Sequence, residues 1–265
     1  MNPLTRAAGD AWISAPAPRS PARGRKRSLA DALADPQVRL GAGAAVLLVT
    51  AVAAHRDRVS RCEAAAFRAV NGLPTSLYPP AWAVMQLGTV GAAPAAAGVA
   101  WLTGDRELAG RLLAGGTGTW ALSKVFKQMV RRPRPAALIP GTRVRGREAA
   151  GLGYLSGHAG VAVALGAAAF PRLGKAGRAG TLSAASLVGL TRIYVGAHLP
   201  LDVAGGAALG FVVEAALLAR RRAGRSAHVD RHRAERPASN CGSCRSINSS
   251  RTAGATCTVM DCSFR

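Results

Sequence analysis

Ala69–Gly104, AVNGLPTSLYPPAWAVMQLGTVGAAPAAAGVAWLTG, contains no charged residue. So long an uncharged run does not suit the surface of a soluble domain. It exceeds the roughly 20 apolar residues that a helix needs to cross a bilayer. Pro79 and Pro80 suit a first helical turn, where a missing N–H costs nothing. The stretch therefore predicts a membrane span over Pro80–Leu102.

Outward from this run the same alternation continues. Val38–Ala54 is apolar except for Arg39 and stops at His55 and Arg56, which predicts a first span. Gly104–Glu107 reads as a short turn. Leu108–Phe126 follows as a third span, with Arg111 and Lys124 near its ends, where long side chains can snorkel. Residues 127–154 are basic and interrupted by Pro133, Pro135 and Pro140, so they read as a loop. Leu155–Phe170, Ala179–Val195 and Leu201–Leu218 give spans four to six, with a short basic turn over Pro171–Arg178. Glu214 lies inside the sixth span, where an acid is expected to face other helices rather than lipid. The expected fold class is all-α: a six-helix transmembrane bundle with its active site at one membrane face.

Composition agrees. Apolar residues make up 49% of the chain and aromatic ones only 5%, so Ala, Gly, Val and Leu dominate. Small residues let helices approach closely in a membrane. Thirty-five basic residues against 13 acidic ones give a net charge of +22. Such a balance suits nucleic acid, anionic lipid or phosphorylated substrates. The charges sit in the tails and between apolar runs, the positive-inside pattern. No aromatic stacking platform or nucleic-acid motif accompanies them, which disfavours nucleic acid as a partner. Three regions result: a basic, disordered tail over 1–37, a membrane domain over 38–219, and a basic, then Ser/Thr/Cys-rich, disordered tail over 220–265. The first apolar run begins near Leu40, too late for a cleavable signal. Cys241, Cys244, Cys257 and Cys262 are spaced irregularly for zinc and read, with Cys62, as free thiols. No metal or cofactor is expected, and the oligomeric state is left open.

An even number of spans puts both tails on one side, expected to be cytoplasmic in a multi-pass cell-membrane protein. The 104–107 and 171–178 turns join them. The 127–154 loop and the 192–201 turn then share the outer face. Three segments meet there: Lys127 to Pro135, Tyr154 to Ala159, and Thr191 to Asp202. Lys127, Arg134 and Arg192 can balance the charge of a phosphate, arginine by a bidentate fork and lysine as a compact charge. Ser156 and Gly157 open the fourth span, and helix N-terminal amides bind anions. His158 sits where an acid can protonate a leaving oxygen. Asp202, in the first turn after Pro200, is close enough in sequence to reach back to His198. A carboxylate on one ring nitrogen would fix the tautomer and free the other to attack.

These segments resemble the signature of the type 2 phosphatidic acid phosphatase superfamily, which includes the vanadium haloperoxidases. Lys127, Arg134 and Pro135 match its first part; Ser156, Gly157 and His158 its second; Arg192, His198 and Asp202 its third. Leu155 stands where the family has proline, so a looser start to the fourth span is expected. Thr191 replaces serine and keeps the hydroxyl. The resemblance implies metal-independent hydrolysis of a lipid phosphomonoester or pyrophosphate. His198 would form a phosphohistidine oriented by Asp202. His158 would act as proton donor, and Lys127, Arg134, Arg192, Ser156 and Gly157 would hold the phosphoryl oxygens. It also implies inhibition by vanadate. The alternatives are a vanadate-dependent haloperoxidase, or an inactive membrane protein that only binds anionic lipid.

Overall fold

The computed structural model describes residues 35–55, 58–148 and 150–234. Of the tails expected over 1–37 and 220–265, residues 1–34 and 235–265, with the four C-terminal cysteines, lie outside them. The chain divides into one compact unit through Ala219 and another from Arg220. Among the described residues every secondary-structure element is a helix, with no strand.

The first helix, α1, is Pro36–His55. Next comes α2, Arg61–Asn71, which is amphipathic and charged and so forms no apolar run. Ser60 caps it, its hydroxyl accepting from the Glu63 N–H at 3.1 Å.

The expected second span is not one helix. It divides into α3 (Tyr78–Met85), a 3₁₀ turn (Gln86–Gly88) and α4 (Ala92–Leu102). The two halves are bent by 66°. At the break Thr89 is extended, and Gly88 packs against the backbone of His158. A side-chain carbon at Gly88 would sit 2.5 Å from the His158 carbonyl oxygen.

Asp105 then caps α5, Arg106–Val130, and α6 is a single turn, Pro135–Leu138. Ser156 caps α7, Gly157–Ala169. The turn expected over Pro171–Arg178 is shorter, because α8 already begins at Lys175 and runs to Tyr194. The last helix, α9, is Pro200–Ala234. It therefore continues past Leu218, where the sixth span was expected to give way to a polar flank. Ala and Arg are strong helix formers, and no proline follows until Pro237.

By length and composition, α1 and Pro200–His228 of α9 can cross a bilayer, and the bent α3–α4 pair gives a third candidate. The remaining expected spans fail that test for physical reasons. α5 has the length but carries Arg106, Glu107, Arg111, Lys124 and Lys127, and α7 has only 13 residues.

Glycines set the contact between α7 and α9. A side-chain carbon at Gly160 would lie 2.9 Å from the Gly206 carbonyl oxygen and 2.8 Å from the Thr119 methyl of α5. Gly206 in turn faces the Ser156 carbonyl, and Gly210 that of Gly160. Helices meet this closely only where side chains are absent. At one end of this packing the two short turns meet, as Arg172 pairs with Asp105 at 3.1 Å and Glu107 at 3.6 Å. At the other, the long loop binds the turn after α8. The Arg145 N–H donates to the Val195 carbonyl at 3.1 Å and Arg134 to that of Ala197 at 2.8 Å.

Glu214 does face other helices. Its carboxylate is buried between Arg39 of α1, at 2.5 Å, and Arg111 of α5. Such an acid adds little net stability against a well-packed apolar residue, yet removing it alone strands two buried cations. Glu214→Ala is therefore expected to cost about 3–5 kcal/mol, read as a lower midpoint of thermal unfolding in detergent. An additional Arg111→Met change should recover part of the loss.

Candidate active site

The site is built where the C-terminal end of α5, the start of α7 and the turn between α8 and α9 meet. Arg131, in the left-handed conformation at φ 56°, ends α5 and turns the chain inward. Lys127 stands one turn before that cap. Its ammonium donates to the carbonyls of Leu152 and Gly153 at 3.1 and 3.3 Å. Arg134, just past it, donates to Gly151, Ala150 and Ala197 at 3.0, 2.9 and 2.8 Å. Arg192, in the last turn of α8, points a guanidinium N–H at the Met85 sulfur at 3.2 Å, and its buried Nε lacks a protein partner. Among the described residues none of these three cations has an ion-pair partner.

His198 lies in the turn between α8 and α9, held by its own N–H and that of Ala197, both donating to the Arg192 carbonyl. Gly196 makes the turn possible at φ 77°, with its α-carbon against the Arg143 carbonyl. The imidazole is buried, and its Nδ1 lies 2.8 Å from the Gly153 carbonyl oxygen. A carbonyl only accepts, so Nδ1 carries the hydrogen and Nε2 keeps its lone pair. The carboxylate expected to perform this task stands farther off, with Asp202 Oδ2 at 3.8 Å from Nδ1. That oxygen accepts instead from the Leu199 N–H at 2.8 Å, while Oδ1 accepts from Arg132 at 3.0 Å. The Gly153 carbonyl, not Asp202, thus makes the close contact that fixes the ring.

Ser156 is wholly buried. Its hydroxyl accepts from the Ala159 N–H at 3.4 Å and its own N–H donates to the Asp202 carbonyl at 2.8 Å. Gly157 packs on Ser123 of α5. The start of α7 is not loosened by the missing proline, since Leu155 is fully buried in a cluster with Leu47, Tyr154 and Leu209.

A cavity of about 610 Å³ opens on this corner. Arg134, His158 and Arg192 line it, and Tyr78, Trp82 and Met85 of the broken span form its apolar wall. Lys127, Ser156, Gly157, His198 and Asp202 stand behind that lining rather than on it. The site also contains two side chains that the motif did not include. Arg132, fully buried, is bound by both oxygens of Glu63, at 3.1 and 2.8 Å, as well as by Asp202. The only sequence sign of Glu63 is its place three residues after Ser60, where a helix-capping acid is expected.

The arrangement is a neutral imidazole among cations, shaped to receive an anion, and the family comparison agrees with it. The model of the PAP2 superfamily matches residues 109–224 of the chain. Two solved structures share the fold. One is LpxE from Aquifex aeolicus (23% identity, TM-score 0.52, covering 56% of this chain and 89% of that one). The other is a transmembrane PAP2-type phosphatidylglycerolphosphate phosphatase from Bacillus subtilis (20% identity, TM-score 0.57, covering 69% and 96%). No curated protein matches the chain. That match, together with helices able to cross a bilayer, supports a membrane-bound phosphatase.

Burial, followed by the charges of Lys127, Arg192 and Arg134, holds the His198 pKa well below its ordinary 6.5. The native ring therefore stays neutral where the unfolded chain's ring takes up a proton. Stability should fall as pH drops below about 6.5, because the unfolded state then binds the extra proton. His198→Gln should flatten that part of the stability–pH curve, measured by thermal unfolding between pH 7.5 and 5.

Proposed function

We propose that the chain hydrolyses the phosphomonoester or pyrophosphate of a lipid, polyprenyl or glycerolipid, through a phosphohistidine on His198. The observation that carries this reading is the His198 ring itself: its Nδ1 is held on a carbonyl, its Nε2 is free to attack, and Lys127, Arg134 and Arg192 stand around it without acid partners. The likeness to membrane PAP2 structures supports a lipid substrate.

In this mechanism Nε2 of His198 attacks phosphorus in line with the leaving oxygen. His158, at the cavity wall, gives that oxygen a proton. Arg134, Arg192, Lys127 and the amides at the start of α7, at Ser156 and Gly157, balance the charge spread over the equatorial oxygens. Such positioning and charge stabilisation form the main part of phosphoryl-transfer catalysis. As the ring becomes a phosphoimidazolium, Asp202 offsets its charge across 3.8 Å. Water, deprotonated by His158, then attacks the same phosphorus, and phosphate leaves His198. No step requires a metal.

The same reading takes the helices as six crossings, both tails cytoplasmic and the cavity on the outer face. The contact between the 104–107 and 171–178 turns at one end supports it, as do those of the long loop with the 192–201 turn at the other. The apolar wall of Tyr78, Trp82 and Met85 would admit a headgroup while its chain stays in lipid.

The test is phosphate release by detergent-purified protein from polyprenyl phosphate and diphosphate, phosphatidate and phosphatidylglycerophosphate, with a metal chelator present. His198→Ala is expected to lower kcat by on the order of 10³-fold or more. Arg192→Ala should lower it by about 10²- to 10³-fold, and orthovanadate should inhibit the wild type. Equal release by wild type and His198→Ala would remove the nucleophile from the reading.

A further inference from the structure

We propose that Glu63 and Arg132 are positioning residues that set the charge and place of Asp202 behind His198. The inference rests on the proposed phosphohistidine chemistry and goes beyond the family signature, since Glu63 lies outside the 109–224 match and neither residue belongs to the motif.

Arg132 is the one arginine of the 131–134 run that is fully buried, and it does not line the cavity. Its two terminal nitrogens are committed to carboxylates. Nη2 donates to Glu63 Oε2 at 2.8 Å; Nη1 donates to Glu63 Oε1 at 3.1 Å and Asp202 Oδ1 at 3.0 Å. Buried away from the cavity lining, it is not placed to hold a phosphate. Glu63 has a second tie, as its Oε1 accepts from the Leu201 N–H at 3.2 Å. The acid of α2 thus grips the first turn of α9 twice, once through Arg132 to Asp202 and once directly at the backbone, three residues beyond His198.

The charge count explains why two acids are present. Asp202 paired with Arg132 alone would be neutral and would offer little to a phosphoimidazolium. Glu63 brings the trio to a net charge of −1, next to a ring surrounded by three cations. Charges buried away from water are weakly screened, so one unit decides much. The relay leaves Asp202 fixed yet still able to act as an anion.

Three variants separate charge from packing: Glu63→Gln, which makes the trio neutral; Glu63→Gln with Arg132→Met, which returns it to −1; and Glu63→Asp, which keeps the charge on a shorter arm. Glu63→Gln is expected to lower kcat by about 10- to 100-fold, as loss of an outer partner does for metal-bound imidazoles, with KM within about threefold because the phosphate-holding cations are untouched. The double variant and Glu63→Asp should each regain at least part of the lost kcat. A kcat for Glu63→Gln within twofold of wild type, or a folded double variant no faster than Glu63→Gln, would overturn the proposal.

A second readout needs no lipid. In the ¹⁵N NMR spectrum, the protonation midpoint of His198 should fall in Glu63→Gln and return toward wild type in the double variant. Lys127, Arg134, Arg192, His158 and Asp202, which also face the ring, are unchanged across the set. An unmoved midpoint in Glu63→Gln would equally overturn the relay. A wild type that releases no phosphate would overturn the functional reading alone, and the NMR measurement would then decide the relay.

Discussion

The carbonyl oxygens of Ala150, Gly151, Leu152 and Gly153 are the contacts on which the site depends. Between them they hold Arg134, Lys127 and the His198 ring. Cations brought together need acceptors, and carboxylates in that place would neutralise them. Backbone carbonyls orient each group through a dipole and add no negative charge beside it. The short Gly-Leu-Gly stretch therefore does for the cations what an acid could not do without cancelling them.

The acids are kept at one remove, on α9. Asp202 and Glu214 are twelve residues apart on that helix, about 18 Å along its axis, with Gly206 and Gly210 between them on the same face. Each acid binds arginine from outside α9: Arg132 of the loop after α5 on Asp202, and Arg39 of α1 and Arg111 of α5 on Glu214. The glycines let α7 press against the backbone between these ion clusters, so that Ser156 donates directly to the Asp202 carbonyl. Glycine packing between the two acids and ion pairing at each of them thus fix one geometry.

Apolar runs made the helical class legible in the sequence, because charge-free stretches leave few alternatives. Helix ends were less so. The break at Thr89 depends on Gly88 meeting His158, a contact between residues 70 positions apart, and no local pattern encodes it. α2 was missed because its burial comes from Glu63, Phe67 and Asn71, which do not form an apolar run. At the site, motif spacing singled out Lys127, Arg134, His158, Arg192 and His198, and the fold gathers them. It did not foresee that a backbone carbonyl would hold the His198 ring. Acceptors of the main chain have no residue type, so their role appears only once the loop is folded.

An unpaired set of cations beside two imidazoles is a poor arrangement for an empty site, since like charges repel and burial weakens their solvation. It is a good arrangement for a group whose negative charge spreads over three oxygens as it transfers. An interaction that strengthens only as that charge develops accelerates the chemical step, whereas one already satisfied by an acid would not. In the proposed reaction Arg192, which lines the cavity and has no ion-pair partner among the described residues, is the clearest instance. Arg132, close by in the chain to Arg134, donates from both terminal nitrogens to carboxylates and does not line the cavity. Two arginines of one short segment thus divide the work, one toward the cavity and one toward the frame behind it, because only one of them meets Glu63.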